Sequence, residues 1–195
     1  LLVAAGAFAT VGAAAAIWPF ISQMNPDANT LALGEPVTID LSPVQPGQQI
    51  LVQWRGRPIF IVHRTQDQLN QLKDQSLLSR LRDPLSQVKQ QGEYAANWHR
   101  SIKPEYLVLV GICTHLGCIP EFKPEVGQGP VANWPGGYFC PCHGSLYDLA
   151  GRVYQGVPAP DNLPVPPYRF VSDTSISIGD NPQGSTFNFS DIDQI

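Results

Sequence analysis

Charge is what this chain of 195 residues has least of: Asp, Glu, Lys and Arg together make up 14% of it. With 12 basic residues against 16 acidic, the formal net charge is -4. No basic stripe is present that could track a phosphate backbone, which argues against nucleic acid as a partner. Cysteine is scarce too, with four in all, and every one lies between positions 113 and 142. In excess are Pro (19) and Gly (17), scattered as punctuation between short apolar runs. That pattern argues for short strands and shaped loops over a helical bundle. The length suits one ordinary domain with a smaller appendage.

A second absence sits at the start. From Leu1 to Phe20 (LLVAAGAFATVGAAAAIWPF) there is no charged residue. About 20 apolar residues is what a helix needs to cross a bilayer core. Ala and Gly permit close helix packing in a membrane, and Trp18 and Phe20 are suited to its interface. A cleaved signal peptide needs a hydrophobic stretch of only about 7–15 residues, and no polar stripe marks a buried helix of a soluble protein. The expectation is one transmembrane anchor over 1–21. Residues 22–35 (SQMNPDANTLALGE) hold the turn signal Asn25-Pro26-Asp27 and lack apolar periodicity, and are expected to be a flexible tether. Residues 36–195 then form a head outside the bilayer.

Within the head, Gln49–Trp54 and Ile59–His63 are expected strands, with Gly56 at the turn between them. Thr65-Gln66-Asp67-Gln68 is a capping-box pattern that predicts a short helix with Leu69 and Leu72 inward. Residues 74–104 are polar and irregular, and carry no assignable role. Tyr106–Ile112 is a continuous apolar run of strand length leading into Cys113. Tyr168–Ser172 and Ser175–Ile178 flank Asp173-Thr174 as a hairpin. The fold class expected is mainly antiparallel β behind a single N-terminal transmembrane α-helix.

The four cysteines fall in two boxes, Cys113-Thr114-His115-Leu116-Gly117-Cys118 and Cys140-Pro141-Cys142-His143-Gly144-Ser145. Two of the chain's four histidines lie in these boxes; His63 and His99 lie outside and read as ordinary structural or surface residues. Two loops that each offer a thiolate and an imidazole can grip one metal site from two sides. By ligand softness alone, Cys2His2 suits zinc equally well. Zinc fingers, however, pair C-x2-4-C with H-x3-5-H, whereas here Cys and His interleave within each loop. That suits a Rieske 2Fe–2S cluster, in which two histidines replace two cysteines on one iron.

CTHLGC followed by CPCHGS resembles the paired boxes of the Rieske proteins of cytochrome bc complexes, and the likeness extends from the apolar start through Gly156-Val157-Pro158-Ala159-Pro160. The resemblance implies a Rieske-type head with a small cluster-binding subdomain at about 106–165. It implies that Cys113 and Cys140 hold one iron, that His115 and His143 hold the other, and that Cys118 and Cys142 form a disulfide joining the two loops. An oxidising compartment would suit that bridge. By the same resemblance, Ser145 and Tyr147 donate hydrogen bonds to a bridging sulfide and to the Cys113 sulfur, Leu116 shields the exposed tip, and the proline loop covers the cluster. Val157 departs from the usual Gly-Pro-Ala-Pro pattern. Gly117 and Gly144 are expected at tight turns.

The function implied is that of the iron–sulfur subunit of a quinol–cytochrome c oxidoreductase, contributing to proton-motive force. His115 or His143 would take the proton of quinol as the cluster takes an electron. The implied partners are cytochrome b and a c-type cytochrome, in a dimeric complex. The implied location is the cytoplasmic (inner) membrane with the head on the periplasmic side, or the mitochondrial inner membrane facing the intermembrane space. Rivals are a soluble Rieske ferredoxin, the small subunit of an arsenite oxidase and a zinc-binding interaction module.

Overall fold

A computed structural model describes residues 2–25, 34–131 and 133–193. The chain divides into two units, Leu1–Glu35 and Pro36–Ile195. Most of the expected tether, residues 26–33, lies outside the described residues.

The first unit is helix α1, Leu2–Ser22. Its 21 residues span about 31 Å at 1.5 Å per residue, enough for a hydrocarbon core of about 30 Å. Pro19 sits inside it near the C-terminal end, where the helix still continues to Ser22. The residues from Val3 to Ile21 are exposed in this unit, as an apolar helix facing lipid would be.

In the second unit the described strands form three antiparallel sheets of three strands each. β1 (Val37–Asp40) pairs with β9 (Ser175–Ile178), which pairs with β8 (Tyr168–Ser172). The beginning and end of the head thus close in one sheet, and the expected hairpin at 168–178 is its second half. β1 was not legible beforehand, because four residues give alternation too little length to register.

The second sheet is β2 (Gln49–Trp54), β3 (Arg57–His63) and β4 (Tyr106–Val110). Ile59, Ile61, Leu107, Val108, Leu109 and Val110 are fully buried. Burial of consecutive residues in β4 means both of its faces are covered, which explains a continuous rather than alternating apolar run. Each such side chain contributes roughly 1.5–3 kcal/mol. Phe60 stacks on Tyr138 with ring centroids 5.6 Å apart. This contact joins the second sheet to the third, made of β5 (Glu121–Lys123), β6 (Gly137–Cys140) and β7 (Ser145–Tyr147).

Thr65 caps α2 (Gln66–Gln71) through a reciprocal capping box with Gln68, and Leu69 and Leu72 are buried as the pattern required. A further short helix, α3 (Gln75–Leu78), is capped by Asp74. Apart from one 3-10 turn at Glu93–Ala95, the rest of 74–104 is irregular yet deeply engaged. Arg100 donates to the carbonyls of Ala150 and Gly151 and to Gln91 Oε1. Arg64, just past β3, donates to the His99 carbonyl and to Ser101. Arg152 is paired with Asp148 at 2.7 Å, both side chains 1% exposed. Burial pushes Arg64 down to about 10 and Arg100 down to about 9, so both remain charged near neutrality. These guanidinium groups hold the turn at 148–152, which directly follows β7.

Candidate metal centre

β4 delivers the chain into the first box, and the β6–β7 connection is the second. Both boxes make the same turn. The Gly117 N–H donates to the Cys113 carbonyl at 3.0 Å, and the Gly144 N–H to the Cys140 carbonyl at 3.0 Å. The two glycines have φ of +84° and +78°. A Cβ at either would meet nothing within 4 Å, so backbone conformation rather than space calls for glycine there. The first loop closes with the Cys113 N–H on the Cys118 carbonyl at 2.7 Å.

The four cysteines divide into two kinds. Cys118 and Cys142 are bonded to each other, the pairing the resemblance implied. Cys113 and Cys140 are free and buried. The sulfurs of Cys118, Cys140 and Cys142 lie within 4.8 Å of one another. Two of these are already oxidised, so this trio is a covalent tie beside Cys140 and not a three-thiolate site. Burial, then the Cys113 side chain, pushes the Cys140 thiol up.

The rings of His115 and His143 stand 4.7 Å apart and nearly perpendicular. His143 is exposed, as are Pro141, Cys142 and Gly144 around it, while His115 is half-buried. His115 Nδ1 is enclosed and has no hydrogen-bond partner among the described residues. A buried ring nitrogen left unpaired is costly, and a ligated metal is the partner that would repay it. Two enclosed free thiols beside two paired imidazoles are the donor set a Rieske cluster needs. The residues fit that group.

Around this set the hydroxyls are ordered. Tyr147 Oη donates to Cys113 Sγ at 3.2 Å and accepts the Thr114 N–H at 3.2 Å. Burial, then the bond to Cys113, pushes the Tyr147 phenol well above its ordinary range, so it stays a donor. Thr114 Oγ1 donates to the Asp161 carbonyl at 2.7 Å. Ser145 is fully buried, and its Oγ accepts the Ala159 N–H at 3.0 Å. Leu116 is 72% exposed at the end of the first loop. His63 and His99 are bonded through Nδ1 to the Val44 carbonyl and to Ser101 Oγ, structural roles as read. Thr114, Arg82 and Asn162 were not singled out beforehand. Thr114 lies inside a box and could have been; the other two carry no local signal.

An iron–sulfur subunit described as "Ubiquinol-cytochrome c reductase iron-sulfur subunit" from Bradyrhizobium diazoefficiens is 53% identical over 179 residues, 92% of each chain. One of the same description from Allochromatium vinosum is 47% identical over 182 residues, covering 93% of this chain and 87% of the relative. Residues 36–168 match the Rieske [2Fe-2S] domain. The chain belongs to the ubiquinol–cytochrome c reductase iron–sulfur subunits. Residues 1–27 match the family segment described as "Ubiquitinol-cytochrome C reductase Fe-S subunit TAT signal". A solved chain from "Hyperthermophilic respiratory Complex III" overlaps with a TM-score of 0.48 at 28% identity, covering 90% of this chain and 98% of that one. The protein is therefore a membrane-anchored component of a quinol-oxidising cytochrome bc complex, its cofactor is a Rieske 2Fe–2S cluster, and the zinc, ferredoxin and arsenite oxidase rivals fall away.

Proposed function

We propose that Cys113, His115, Cys140 and His143 hold the cluster, and that through it the head accepts an electron from quinol on behalf of a c-type cytochrome. One observation carries this assignment: the two free, buried thiols lie in the same pair of loops as two adjoining imidazoles, one with an enclosed and unpartnered Nδ1. When bound, the cluster supplies a one-electron acceptor that neutral histidine ligands make easier to reduce than an all-cysteine centre. His143, the more exposed of the two rings, offers a ring nitrogen to the quinol hydroxyl and takes its proton there. Leu116 covers the tip and limits water at that contact. Ser145 and Tyr147 donate hydrogen bonds that favour the more electron-rich state.

The quinol pocket belongs mostly to cytochrome b, which the head meets with the 116–119 and 141–144 surface, in a dimeric complex. The head lies on the periplasmic side of the cytoplasmic membrane. The disulfide, which suits an oxidising compartment, and the match of residues 1–27 to a TAT-signal segment support that side. Residues 22–35 tether head to anchor, and their fourteen positions reach at most about 46–50 Å.

Labelling with 15N-histidine tests the ligand set. The reduced, paramagnetic protein should show hyperfine coupling from two histidine nitrogens. Coupling to one or none would overturn the assignment.

A further inference from the structure

The loop at Val157–Asp161 has few means of holding itself. Pro158 and Pro160 have no N–H, so its carbonyls depend on donors from elsewhere. Arg82 supplies two of them, Nη1 to the Pro160 carbonyl at 3.1 Å and Nη2 to the Val157 carbonyl at 3.3 Å. The main chain around Arg82 is bonded to the approach to that loop. The Arg82 N–H donates to the Val153 carbonyl at 2.9 Å, and the Gln155 N–H to the Arg80 carbonyl at 2.8 Å. Asn162, buried, fastens the far end: it accepts the Val153 N–H at 2.8 Å and donates to the Asp83 carbonyl at 3.0 Å. Between the two carbonyls that Arg82 grips lies Ala159, whose N–H donates to Ser145 Oγ.

We propose that Arg82 is a positioning residue for the redox site, holding the Val157–Pro160 turn so that the Ala159 N–H fixes the Ser145 hydroxyl as a donor to the cluster. The proposal rests on the reading of Ser145 as such a donor. A hydroxyl has one hydrogen and accepts on its lone pairs. With the Ala159 N–H held on the acceptor side, the Ser145 hydrogen is left to point away from the loop, and accepting one bond strengthens the donation of the next. If the turn loosens, the rotor is freed, average donation falls, and the reduced state loses support. The guanidinium is suited to this task because its planar fork reaches two carbonyls three residues apart. An ammonium is a point charge and cannot reproduce that grip.

A double-mutant cycle on the intact complex tests this, with Arg82→Lys, Ser145→Ala and the pair. The readouts are the midpoint potential, iron content and hydrogen exchange at the Ala159 amide. Arg82→Lys should lower the potential by less than Ser145→Ala does, keep the iron, and speed exchange at Ala159. In the Ser145→Ala background it should shift the potential no further. An unchanged potential in Arg82→Lys, with Ser145→Ala lowering it, overturns the role of Arg82 and leaves Ser145 as a donor. Equal shifts in both backgrounds overturn it as well, since Arg82 would then act by another route. No shift in Ser145→Ala removes the reading on which the proposal stands. Arg82→Ala separates charge from grip: if only it, and not Arg82→Lys, lowers the potential, the effect is charge alone and the proposal fails.

Discussion

The loops at 113–118 and 140–145 leave Leu116, Gly117 and Pro141–Gly144 exposed, whereas the irregular stretch at 86–101, which contains no motif, buries Ser86, Gln90, Gln91, Ala95, His99, Arg100 and Ser101. The first pair of segments holds the proposed ligands, and the second packs behind them. A redox tip has to be exposed where a partner meets it, so it cannot also be enclosed by its own core. Its rigidity must come from behind, and here much of it comes from side chains that hydrogen-bond to main-chain carbonyls. Arg100 on Ala150 and Gly151, and Arg82 on Val157 and Pro160, are both of this kind.

The comparison breaks most sharply at the ligands. Intact protein should hold two iron and two acid-labile sulfide per chain, as a 2Fe–2S cluster requires. Cys113→Ser or Cys140→Ser should abolish both, along with the visible spectrum, while the base sheets remain folded by circular dichroism. Full sulfide content in either variant would mean the other cysteine pair holds the cluster.

Asp148→Asn strikes the support instead. It leaves Arg152 buried without its counter-charge, which costs about 3–5 kcal/mol. Denaturant unfolding of the head should show that loss, with cluster lability following it. A loss under 1 kcal/mol would place the support of the 148–152 turn elsewhere.

Cys142→Ser tests the tie between the loops themselves. Closing a chain segment of 24 residues contributes about 3 kcal/mol in the chain-entropy account. The variant should keep all four ligands, lose its cluster more readily on warming, and show a lowered potential. Two titratable thiols in the native, unreduced protein would show there is no bridge to remove.

Smaller again are the hydroxyls. A hydrogen bond to a charged acceptor contributes about 1.5–3 kcal/mol, or roughly 60–130 mV for a one-electron couple at about 59 mV per tenfold. Ser145→Ala and Tyr147→Phe should each lower the potential by up to that amount with the iron retained, since only the difference between redox states registers.

The effect that is smallest at neutral pH, and emerges only on acidification, lies in the support region. Burial, then the Arg64 charge, lowers His99 to about 4, so the native state holds it neutral. An unfolded histidine takes its proton near about pH 6.5. As pH falls from about 6.5 toward 4, the unfolded state binds a proton that the native state refuses, so stability declines across that window and levels off below it. Stability against pH should be less steep in His99→Gln than in the parent over that range. Identical slopes would mean His99 is protonated in the native state.

Much of the site could be read beforehand because its chemistry is local. Cys113 to Cys118 and Cys140 to Ser145 place the proposed ligands and their glycines within a few residues of one another, and a turn needs no distant partner to be legible. The β4 run and the Thr65 capping box were legible for the same reason, since apolar continuity and a cap are short-range patterns. The resemblance supplied the pairing of Cys118 with Cys142, which spacing alone leaves open among four cysteines.

What the sequence by itself determined, then, is the pairing of Cys and His within two short boxes, the apolar anchor and the antiparallel character of the head. Tertiary structure alone decided which histidine is enclosed, and that Arg82, Arg100 and Asn162 hold the turns behind the two boxes. The physical reason is the range of the contacts. Arg82 is 78 residues from Pro160 and Asn162 is 79 from Asp83, and their acceptors are main-chain carbonyls. Every residue has a carbonyl, so no residue type at the far end marks it as a partner, and only folding brings the right one within reach.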